Sequence, residues 1–150
     1  MGHTRYYVND KRVRSVTTMI NDHLGWNKQA LIGWTRKQCL DGADSSKVLR
    51  EAGKIGTLAH KMIECNITNT AFKDLSKYTP QEIYHAKKAL YGFVNWKQDK
   101  RVISEHFKET EIKMVSKKYK FGGTCDGIVL INDTLHLVDF KTSSGVYNEY

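Results

Sequence analysis

Residues 121–141 read FGGTCDGIVLINDTLHLVDFK, and the reading of this stretch decides the fold. Apolar and β-branched residues run on either side of Asn132-Asp133, a dipeptide that tolerates the positive φ of a two-residue hairpin turn. With that turn, cross-strand partners have numbers summing to 265, as Asn132 and Asp133 themselves do. Asp126 then lies opposite Asp139, with Cβ atoms about 5 Å apart. Lys141, two residues further, projects from the same face. The rest of that face is Ile128, Leu130, Leu135 and Leu137, and the other carries Val129, Ile131, Val138 and Phe140. Both faces are apolar, so these strands are expected to be central and covered on both sides. Two facing carboxylates in such a setting repel and are costly to desolvate. A divalent cation relieves both problems, since Mg²⁺ takes hard oxygen ligands and bridges to a substrate phosphate. An Asp–Lys–Asp ion-pair cluster at a sheet edge explains the same residues, and strand geometry does not choose between the two.

Upstream, the period is mostly helical. Tyr6 to Val8, Asn9-Asp10 and Arg12 to Val16 read as a short β-hairpin. Thr17 or Thr18 can cap a helix carrying Met19, Ile20 and Leu24 and ending near Gly25. A second helix is expected over about 28–40, with Leu31, Trp34 and Leu40 on one buried face, stopped by Asp41-Gly42. Ser45 or Ser46 opens a further helical stretch, in which Gly53 and Gly56 mark a break or a close contact. Thr79-Pro80-Gln81-Glu82 is a capping box with proline at the first helical position, and its helix should end near Asp99. Glu111 to Ser116 then begins a meander completed by residues 121–131 and 134–141.

Three of these segments, in this order, resemble the PD-(D/E)xK nuclease superfamily. Val138-Asp139-Phe140-Lys141-Thr142 is similar to its D-x-K element, and Phe121 to Gly127 to the glycine-rich strand supplying a second aspartate. Gly56-Thr57-Leu58-Ala59-His60 resembles the G-x-x-x-H helix of the RecB-like branch, which includes phage exonucleases. The resemblance implies a restriction-endonuclease-like α/β core, a small, mostly antiparallel sheet flanked by helices. It implies Asp126 and Asp139 as metal ligands, Lys141 as the catalytic lysine, and His60 approaching the metal from its helix. Glu111 could add a third carboxylate. Glu64, one turn after His60, could support it from behind or pair with solvent-exposed neighbours. Thr142 and Ser143 would contact phosphate or cap the next segment, and Tyr147 matches a region near the active site of relatives. The implied chemistry is Mg²⁺- or Mn²⁺-dependent hydrolysis of DNA, more by exonuclease than endonuclease action. Relatives continue past the D-x-K strand with a helix and usually another strand, so a single domain over 1–150 lacking those elements is expected.

Composition fits this expectation. The net charge of +8 suits a polyanionic partner such as DNA. Lys113, Lys117, Lys118 and Lys120 form a mild cluster that could hold a phosphate backbone or simply be a solvated hairpin. Three scattered cysteines, Cys39, Cys65 and Cys125, argue against a disulfide framework or a self-contained zinc site. The first residues lack the apolar run of a secretory signal, so a cytoplasmic protein is expected, in the host cell if the chain is of phage origin. The rival from another class is a nucleic-acid-binding domain that keeps the fold without catalysis.

Overall fold

Both Asn-Asp dipeptides adopt the expected turn: φ is 48° and 60° at Asn9 and Asp10, and 47° and 60° at Asn132 and Asp133. The computed structural model describes residues 4–23 and 28–142. In chain order these are β1 (Tyr6–Val8), β2 (Lys11–Ser15), α1 (Val16–His23), α2 (Lys28–Leu40), α3 (Ser45–Ile67), α4 (Pro80–Asp99), a 3₁₀ turn (Ser104–His106), β3 (Phe107–Ser116), β4 (Phe121–Ile131) and β5 (Thr134–Val138). The class is mixed α/β, with strand order β1-β2-β4-β3 and β5 added on β4. Only the β2–β4 register, Arg14↔Phe121 and Ser15↔Gly122, is parallel among those resolved pair by pair. No helix among the described residues is long and apolar enough to cross a membrane.

The chain forms two compact units, residues 1–45 with 111–125 and residues 46–110 with 126–150. In the first, the buried Tyr6 ring packs where a Cβ on Gly122 would overlap it, and its hydroxyl bonds Thr124 Oγ1 at 2.8 Å. Gly122 therefore makes room for an aromatic ring, while a Cβ on Gly123 would meet Val16 instead. Ser15 rather than Thr17 or Thr18 caps α1, accepting the Thr18 N–H at 3.0 Å. That cap starts the helix at Val16 and cuts β2 off at Ser15. The expected end of α1 at Leu24 and Gly25 lies outside the described residues. The buried face expected of α2 does not form: Leu31 and Leu40 are exposed. At about 100° per residue, Leu31 and Leu40 fall on opposite sides of the helix, so no single stripe exists.

In the second unit, α3 runs unbroken through Gly53 and Gly56. Each glycine costs a helix about 1 kcal/mol relative to alanine. The buried Leu58, Ala59, Met62, Ile63 and Ile67 outweigh that cost. Leu58, Ala59 and Met62 pack with Ala86 of α4, while Ile63 and Ile67 join Phe93, Val102, Phe107 and Val129 in one core. The α4 start is the capping box read from sequence: Thr79 Oγ1 accepts the Glu82 N–H at 3.2 Å and Glu82 Oε2 accepts the Thr79 N–H at 2.7 Å.

That backbone bond, helped by Lys54, holds the Glu82 carboxyl below its ordinary 4.5 despite burial. A lowered carboxyl value adds stability above the ordinary value and loses it as pH falls through the lowered one. Thr79→Ala should cost about 1 kcal/mol near neutral pH. Thermal melts of Glu82→Gln and the parent chain should differ near pH 7 and converge as pH falls through the lowered Glu82 value; a gap that persists at low pH would assign the effect to packing.

Two strand limits differ from expectation. β3 starts at Phe107, four residues before Glu111, because Phe107 is part of the core. β5 ends at Val138, and its Leu135 and Leu137 are exposed. β5 pairs with β4 alone, so it is an edge strand and not one covered on both sides.

Candidate metal centre

The hairpin register is the one that the turn dictates, from Ile131↔Thr134 to Gly127↔Val138. The next pair would be Asp126 with Asp139, and there the ladder stops. Phe140 donates its N–H to Asp126 Oδ2 at 2.5 Å instead. This amide joins Asp139 to Phe140, so a side-chain carboxylate takes over where strand pairing ends.

The other Asp126 oxygen faces α3. Gly56 and His60 lie one turn apart on that helix, with side-chain positions on the same face. A Cβ on Gly56 would stand 3.3 Å from Thr142 Oγ1, so the missing side chain lets the D-x-K segment approach. His60 Nδ1 then reaches Asp126 Oδ1 at 3.4 Å. The Asp126 side chain is only 11% exposed and that of His60 28%. Phe140 closes the apolar side: its ring meets His60 edge-on at 6.3 Å and Phe93 edge-on at 5.2 Å.

Asp139 and Lys141 form a separate pair, Oδ2 to Nζ 2.5 Å, on the exposed rim. Among the described residues no hydrogen bond or ion pair links either of them to the Asp126 side chain. The four residues are thus brought together as two pairs joined through the Phe140 backbone. Once β5 has ended at Val138, alternation no longer decides where side chains point, which is why the single cluster expected of Asp126, Asp139 and Lys141 is divided. Beside the rim is a cleft of about 620 Å³, floored by Phe93, Trp96 and Leu137 and edged by Asp139, Phe140 and Lys141.

The donor set can be tested against a cation. Two ligands about 2.1 Å from one ion stand about 3.0 Å apart at a right angle and about 3.4 Å apart at a tetrahedral angle. The 3.4 Å between His60 and Asp126 falls in that range and exceeds an ordinary hydrogen bond. Imidazole beside carboxylate suits Mn²⁺ better than Mg²⁺, which prefers oxygen alone. The residues fit a divalent ion.

The remaining candidates lie on several elements. Glu64 is half-buried on α3, and its backbone carbonyl accepts from Thr68, but its carboxylate does not bond His60. Glu111 is exposed in β3, in the first unit, with φ of 52° that interrupts the strand's alternation. Lys117, Lys118 and Lys120 are exposed in the β3–β4 turn, which the Lys120 N–H closes onto the Ser116 carbonyl at 2.9 Å. Thr142 is exposed at the end of the described chain; Ser143 and Tyr147 lie outside the described residues. The Phe140 amide was not foreseen from sequence, because nothing in D-x-K marks a backbone donor. No protein-family model, curated protein or solved structure matches the chain.

Proposed function

We propose that the chain is a metal-dependent deoxyribonuclease of the PD-(D/E)xK kind, an exonuclease serving DNA replication, recombination or repair. The observation that carries this reading is Asp126: a largely buried carboxylate held by the D-x-K backbone on one oxygen and facing a helix histidine with the other. Asp126 and His60 would hold a Mn²⁺ or Mg²⁺ ion, with Asp139 as a further carboxylate. Bound there, the ion would lower the pKa of a water and polarise the scissile phosphate. Asp126 stays fixed because the Phe140 N–H and the packed histidine leave it little freedom. Lys141, freed from Asp139 on substrate binding, would offer its ammonium to the charge developing on the phosphate.

End-labelled DNA incubated with Mn²⁺ or Mg²⁺ should be degraded, with loss of activity in EDTA and in Asp139→Ala and Lys141→Ala. Degradation that survives EDTA and both substitutions would refute the proposal. The closed Asp139–Lys141 pair favours a second reading, a nucleic-acid-binding domain that holds DNA without cutting it. Salt-sensitive DNA binding with no cleavage under any divalent ion would support that reading.

A further inference from the structure

The excess positive charge is unevenly divided. The first unit carries eleven lysines and arginines against five aspartates and glutamates, +6 of the chain's +8 in 60 residues. The second, with 90 residues, holds the remaining +2. Within the first unit is a cleft of about 660 Å³. Arg5, Arg12 and Arg14 line it together with the hydroxyls of Ser15, Thr17 and Thr18, and no carboxylate does. Arg14 is tied to Asp22 at 3.3 Å. Arg5 and Arg12 make no ion pair or side-chain hydrogen bond among the described residues. Unpaired guanidiniums in a concave, hydroxyl-lined site are a matched receptor for phosphate, because the planar fork donates in pairs to phosphate oxygens. A concave surface of one sign also concentrates the field of the surrounding charge.

We infer that this cleft is a phosphate-binding site that grips the backbone of a nucleic-acid strand, with Arg5 and Arg12 as its principal contacts. Its neighbourhood favours nucleic acid over an anionic membrane. Arg14 stands in register with Phe121, directly after the turn carrying Lys117, Lys118, Lys120 and the exposed Tyr119. Basic residues interleaved with an exposed aromatic ring suit a strand whose bases can stack. The inference shares the nucleic acid with the proposed function but none of its residues.

The test is binding of a fluorescent single-stranded DNA oligonucleotide to the full chain in EDTA, so that cleavage plays no part. Arg5→Ala/Arg12→Ala should weaken binding on the order of 10-fold at 100 mM salt and flatten the log K against log salt slope by about 1.4. Both residues are exposed, and a far-UV spectrum identical to the parent chain confirms the fold. Lys87→Ala/Lys88→Ala removes the same charge from exposed positions on α4 and should leave affinity within about twofold and the slope unchanged. Equal losses in the two double variants, no loss in the arginine variant, or no binding by the parent chain would overturn the inference. So would tighter binding to phosphatidylglycerol vesicles than to the oligonucleotide. A chain that binds through Arg5 and Arg12 yet never cleaves under Mn²⁺ would sink the nuclease reading and leave this one standing.

Discussion

Asp126→Asn should abolish metal-dependent DNA cleavage, lowering kcat/KM by more than the 10–100-fold typical of residues that merely support a metal ligand. The reason lies in the two tasks of this side chain. One oxygen accepts the Phe140 N–H, and the other stands 3.4 Å from His60 Nδ1. Asparagine keeps a carbonyl oxygen for Phe140 while losing the negative charge a cation requires. Asp126→Ala should lose activity to the same degree and stability as well. It strands a partly buried amide, at about 1–3 kcal/mol. Steady-state cleavage alongside thermal melts separates the two effects. Comparable activity in Asp126→Asn and the parent chain would remove Asp126 from the chemistry.

Phe93→Ala should be the most destabilising single change, costing about 3–5 kcal/mol and lowering Tm by roughly 6–20 °C. Phe93 is buried between α3 and β4 in the second unit's core, with ring contacts to Trp96, Phe107 and Phe140. The last contact connects packing to the site. Phe140 is positioned by Phe93 on one side and His60 on the other, and its amide holds Asp126. Metal affinity should therefore fall at temperatures well below the melting transition. Phe93→Leu, which refills most of the volume, should recover most of both losses. A circular-dichroism melt and a metal titration at 20 °C would show whether stability and affinity move together; an unchanged affinity in folded Phe93→Ala would detach the site from the core.

Some of this was legible in the sequence because local chemistry decided it. Asn132-Asp133 dictates a two-residue turn, and a two-residue turn fixes the register of every pair up to Gly127↔Val138. Thr79-Pro80-Gln81-Glu82 specifies a helix start through two reciprocal bonds between neighbours. The G-x-x-x-H spacing likewise brings a gap and an imidazole to one face of α3. What was not legible depends on distant partners. Apolar alternation runs on to Phe140, yet β5 stops at Val138, and whether a strand continues depends on what lies beside it. Leu135 and Leu137 read as core, but β5 has a single neighbour. Gly53 and Gly56 read as a break or a close contact; the burial of five side chains on α3 prevents the break, and Gly56 closely approaches Thr142. Asp139 and Lys141 could be placed on a face only while the strand lasted, and beyond it their mutual attraction prevails.

The central claim is that Asp126 and His60 hold a divalent cation. Titration of the parent chain with Mn²⁺, followed by electron paramagnetic resonance, measures this without reference to any substrate. One saturable Mn²⁺ per chain is expected, weakened by more than about 10-fold in Asp126→Asn and in His60→Ala. Absence of a saturable site in the parent chain, or affinity unchanged by both substitutions, would contradict it.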